Sequence, residues 1–120
     1  MRQLLIFNSR DSLLRLDVEH IAYFEADGNY TNIFTKNKLR VQVGLSLTRM
    51  EAALSEQLHE GAAVFMRVGK RFIINREYIF NIDTARQRLC ISDMQTFAYQ
   101  LQIGKEALRM IKNLIVTTRV

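Results

Sequence analysis

Four cations crowd one short stretch of this chain. Arg67, Lys70, Arg71 and Arg76 fall within ten residues of FMRVGKRFIINREYIFNID (65–83), with no acid before Glu77. Apolar residues alternate through the cluster and frame it, with Phe65, Met66 and Val68 before it and Phe72, Ile73 and Ile74 after. The pattern reads as two short strands held in a core, with Gly69-Lys70-Arg71 projecting from the connection between them. A cationic loop on a rigid scaffold suits a polyanion, and DNA is the commonest partner of that kind. A solvated basic turn with no partner competes with that reading, and charge alone weighs the two about evenly.

Other chemistry is sparse. His20 and His59 have no cysteine or acid around them at the spacing of a metal site. Glu25 and Asp27, two apart, share one face of a strand. Paired carboxylates can do acid–base work, but such a pair at a strand end more often balances nearby cations. No GxSxG, P-loop or GxGxxG segment occurs. The single cysteine, Cys90, lies between Leu89 and Ile91 and reads as a small packed hydrophobe inside a strand. A binding protein rather than an enzyme is expected, with no metal and no cofactor.

The chain has 120 residues, 48% of them apolar, which suits one globular domain with a real core. No apolar run approaches the ~20 residues of a membrane helix, and the four-residue run before Asn8 is no signal peptide, so no membrane partner and a cytoplasmic setting are expected. The net charge of +5 is unevenly spread. Lys36, Lys38, Arg40 and Arg49 occupy residues 28–50 without an acid, and Lys105, Arg109, Lys112 and Arg119 face only Glu106 in the tail. Brought to one side, such segments would form the stripe typical of a nucleic-acid binder.

The elements that must position these residues are mostly strands. Strands are predicted over 3–7 and 12–16 as a hairpin, then a β-rich stretch over 18–26, then 30–35 and about 39–43. Asp27-Gly28-Asn29 supplies the turn before Tyr30. Ser46 caps a predicted helix whose Leu47, Met50, Leu54 and Leu58 line one face. Short strands follow over 65–68, 72–75, 79–82, 88–92 and 97–103, and KEALRMIKNLI closes the chain as a second helix. Asn75 is expected as a buried amide tying a turn to a neighbouring strand, and Tyr23, Phe24, Phe65 and Phe72 as core. The fold class is mainly β, with antiparallel pairs and one central and one C-terminal helix.

Three blocks resemble the LytTR DNA-binding domain family of bacterial transcription regulators. They are IAYFEADGNYTNIFT, the helix opened by Leu45-Ser46-Leu47, and FMRVGKRFIIN followed by Tyr78-Ile79. The resemblance spans about Asp17 to Ile115, leaving residues 1–16 as an N-terminal hairpin extension. It implies an elongated β domain lying along double-stranded DNA, with loops in successive major grooves and phosphate contacts between them. Base-reading residues implied are Asn29, Tyr30, Thr31 and Asn32, with Thr31 the best match to the reading position. The Gly69, Lys70, Arg71 loop and Lys105 after Gly104 complete the set.

This chain departs from the family pattern in placing Gly69 where many members have histidine and Arg71 where they have serine. Arg71 can grip guanine O6/N7 with both teeth of its fork or clasp a phosphate, so the target sequence is expected to differ from that of relatives. Lys105 in place of arginine argues for a phosphate or single-acceptor role. The resemblance further implies a homodimer on paired sites and an upstream sensor kinase pathway. A receiver domain has no room in 120 residues. The chain is either an isolated output domain or a stand-alone regulator, and the apolar hairpin before Asp17 favours a start there over a cut linker. The alternative function is a protein-interaction module that pairs with another regulator through an exposed strand edge.

Overall fold

The structure is a computed structural model that describes residues 2–117; Arg119 lies outside them. The opening alternation forms a hairpin of β1 (Leu4–Asn8) and β2 (Leu13–Asp17). Next comes a five-stranded antiparallel sheet of β3 (Ile21–Asp27), β4 (Tyr30–Thr35), β5 (Arg40–Val43), β6 (Phe65–Val68) and β7 (Phe72–Asn75), in the order β5-β4-β3-β7-β6. Between β2 and β3 the sequence suggested continuous β structure from Val18. Instead Val18–His20 makes a single 3-10 turn, because the Asp17 carboxylate accepts the Glu19 amide at 3.1 Å.

Helix α1 (Leu47–Leu58) begins where Ser46 accepts the Arg49 amide at 3.3 Å. Its stripe of Leu47, Met50, Leu54 and Leu58 packs into one core with Phe24, Ile33 and Ile73 of the sheet. The Phe65 ring meets Phe24 edge-on at 5.2 Å. The N-terminal hairpin belongs to this core rather than hanging from it. Leu5 is fully buried, and the Gln57 amide of α1 clamps Ile6 by accepting its N–H at 2.9 Å and donating to its carbonyl at 2.7 Å. His59, at φ +52°, ends the helix, and residues His59–Val64 descend to β6 as 3-10 turns that no sequence period announced. Asn75 is buried and donates to the Ile21 carbonyl at 2.9 Å while accepting the Glu77 amide at 3.0 Å.

A second compact unit starts at Tyr78. It comprises β8 (Ile79–Asp83), β9 (Arg88–Ser92) and β10 (Ala98–Gln102) in the order β10-β9-β8, and α2 (Lys105–Thr117) packed on β8. Leu89, Ile91, Leu101, Ile103, Leu108 and Ile111 are buried in it. Its β9–β10 connection is organised by Asp93, which accepts the amides of Gln95 at 3.0 Å, Thr96 at 2.7 Å and Phe97 at 3.1 Å, and the Thr96 hydroxyl. Desolvation acts to raise the Asp93 pKa, but these hydrogen bonds to the charged form outweigh it and hold the carboxyl far below the usual carboxylate range. A depressed folded-state pKa contributes stability that is present above the unfolded value of about 4 and is lost as pH falls through the folded one. Chemical denaturation at pH 6 and pH 3 is therefore expected to show a larger loss for the wild type than for Asp93→Asn. Equal losses would remove Asp93 as a source of acid sensitivity.

Candidate nucleic-acid interface

Strand register places two turns side by side at one end of the five-stranded sheet. β3 pairs with β4 down to Asp27 opposite Tyr30, leaving Gly28-Asn29 as the turn. Gly28 takes φ +60°, which a type II′ turn needs at its first position. On the other flank β3 pairs with β7, with Glu25 opposite Phe72, so Gly69-Lys70-Arg71 between β6 and β7 emerges at the same end. The Ala26 amide donates to the Arg71 carbonyl at 2.8 Å and locks the two turns together. The end of β5 and the first turn of α1 lie at this edge too, adding exposed Arg49.

The four cations that the sequence groups together take different parts. Arg67 faces inward. Its Nε donates to the Gly69 carbonyl at 3.0 Å and Nη2 to the Lys70 carbonyl at 3.3 Å, while Nη1 reaches Glu51 of α1 at 3.2 Å. It staples the loop to the helix and leaves little charge to offer outside. Lys70 is exposed and pairs with no acid among the described residues. Arg71 is exposed but held: Nη2 donates to Glu25 at 2.6 Å, and the guanidinium carbon lies 5.1 Å from the Phe72 ring centroid. Arg76 is turned aside, with Nη1 3.5 Å from the Ala63 carbonyl.

The residues expected from the first turn also divide. Asn29 and Tyr30 are exposed at the edge. Thr31 has no exposed surface and donates its hydroxyl to the Leu45 carbonyl at 2.8 Å, tying β4 to the segment that leads into α1. Asn32 is 93% covered and joins Asp27 and Gln42 in a side-chain network, donating to Asp27 at 3.4 Å and accepting from Gln42 at 3.1 Å. A side chain so placed can position the turn but has no surface for a base. The turn carrying Lys36 and Lys38 joins the other ends of β4 and β5, so it lies at the far end of the sheet, about a strand length away. Lys105 opens α2 in the second unit and is exposed, where Gly104 accepts the Leu108 amide at 3.1 Å.

Sequence reasoning missed the role of Arg67, and it expected Glu25 to balance a nearby cation without identifying Arg71 as that cation. Glu25 is visible as an acid on a strand, but its pairing with Arg71 depends on β3 lying beside β7. Among the described residues, no group of three or more His, Cys, Asp or Glu is arranged to hold a metal ion, and no helix is long and apolar enough to cross a membrane.

A cationic turn, Gly69-Lys70-Arg71, beside a polar one, Gly28-Asn29, at one end of an antiparallel sheet suits the contact surface of a nucleic-acid-binding domain. The chain belongs to the LytTR DNA-binding domain family, whose model matches residues 11–116. That match assigns it the role of a DNA-binding regulator. Among solved structures it is similar to the LytTr DNA-binding domain of a Bacillus cereus protein described as a methyl-accepting/DNA response regulator. That likeness has a TM-score of 0.62 at 17% identity and covers 94% of this chain and 96% of the other. Curated protein sequences yield no match.

Proposed function

We propose that this chain is a sequence-specific double-stranded DNA-binding transcription regulator that reads bases through loops and anchors on phosphates. The carrying observation is the convergence of the Gly28-Asn29 and Gly69-Lys70-Arg71 turns on one sheet edge, where Lys70 and Arg71 stay exposed. Asn29, Tyr30, Gly69, Lys70 and Arg71 face the duplex in this reading, and Thr31 and Asn32 hold the first turn from beneath. Lys105 supplies a phosphate contact from the start of α2. Loops in successive major grooves, two copies on paired sites and control by a sensor kinase extend the same reading from the family. Selection of duplexes from a random pool at near-physiological salt tests it. A sharp motif supports specific regulation, and a featureless bound pool means a sequence-blind electrostatic grip.

A second reading, a module that pairs with another regulator, draws on β5. That strand is an edge of the sheet, and a groove of about 700 Å³ lined by Ile6, Leu13, Leu14, Val41, Val43 and Gln57 runs beside it. An extended partner segment could add to such an edge. Tight, specific duplex binding without association with other chains would remove this alternative.

A further inference from the structure

We infer that Glu25 determines specificity by making Arg71 a reader of guanine rather than an anchor on phosphate; this rests on the DNA-binding reading above. Three attachments fix Arg71. Its carbonyl accepts the Ala26 amide at 2.8 Å, its guanidinium lies over the Phe72 ring at 5.1 Å, and Nη2 donates to Glu25 Oε2 at 2.6 Å. Despite these, the side chain remains 65% exposed. One nitrogen of the fork is therefore engaged, the ring fixes the plane of the group, and the side chain's exposure leaves the remaining N–H donors accessible. Adjacent Lys70 is held at its backbone carbonyl by Arg67 at 3.3 Å, but its exposed side chain makes no ion pair among the described residues.

The carboxylate also selects what Arg71 can bind. A phosphate drawn to this guanidinium must approach the negative charge of Glu25 and is repelled by it. The O6 and N7 acceptors of guanine carry no formal charge, fit the fork in a two-toothed manner and incur little of that repulsion. Oriented donors and a built-in penalty against the wrong ligand are the two halves of a specificity device. The work divides accordingly: Lys70 attracts any backbone, and Arg71 reads one G·C pair.

The test measures dissociation constants for the selected duplex, for versions with each G·C pair exchanged, and for a scrambled duplex, at two salt concentrations. Glu25→Gln keeps an acceptor beside Arg71 and removes the charge. It should strengthen scrambled-duplex binding severalfold and lower the specific-to-scrambled ratio by about tenfold. Arg71→Lys keeps the charge and loses the fork. It should leave scrambled binding and its salt dependence unchanged while reducing discrimination at one G·C pair by about tenfold or more. Glu25→Gln shifting both duplexes equally, or Arg71→Lys leaving every base preference intact, overturns the assignment. A wild-type chain that binds no duplex overturns the DNA reading itself, which keeps the two failures apart.

Discussion

Replacing Lys70, Arg71 and Lys105 together with alanine is expected to lower affinity for the selected duplex by at least about a hundredfold. A base contact or charged anchor is each worth roughly 1–3 kcal/mol, so even the low end of three losses exceeds a factor of a hundred. The fold should survive, because all three side chains are exposed and only Arg71 makes an ion pair among the described residues. The salt dependence should flatten as well, its slope falling by about two as two of the three cations leave phosphates. Fluorescence anisotropy across a salt series, alongside a thermal melt, measures both. Unchanged affinity in a folded variant would sink the assigned surface. The single Lys105→Ala variant then isolates the second unit's share.

Arg67→Met should behave differently, costing stability and binding together. The Arg67 side chain is only 25% exposed, and its guanidinium joins β6, the loop carbonyls and α1 through Gly69, Lys70 and Glu51. Methionine fills part of the space but satisfies none of these acceptors. Hydrogen bonds to a charged group are worth about 1.5–3 kcal/mol each when buried, and the partial exposure here discounts them, giving a net loss of about 2 kcal/mol. The freed loop should bind the selected duplex and the scrambled one with more similar affinity. Urea denaturation with a parallel binding series checks this. A variant of wild-type stability and specificity would show that the loop holds its shape without the staple.

Much of the fold was legible because alternation and turn chemistry agree along the chain. The strands Tyr30–Thr35, Phe65–Val68, Phe72–Asn75 and Arg88–Ser92 have the bounds expected from the sequence, and α1 starts one residue after its Ser46 cap. What local pattern could not supply was pairing between distant strands. β3 lies between β4 and β7, and only that arrangement brings Glu25 to Arg71 and the two turns to one edge. The same limit explains the cations. Counted by charge, Arg67 and Lys70 are equivalent, yet one points into the protein toward Glu51 and the other into solvent. Thr31 shows it again. Alternation put it opposite Tyr30 on the strand, but only the position of α1 and Leu45 makes its face the buried one.

The most direct test of the sheet-edge surface is a residue-by-residue map of amide chemical shifts on titration with the selected duplex. The largest changes should fall on Asn29, Tyr30, Gly69, Lys70 and Arg71, with a second set at Lys105 and little change at Lys36–Arg40. Changes concentrated along β5 and the hairpin groove, with the two turns silent, would contradict the account and turn attention to a protein partner.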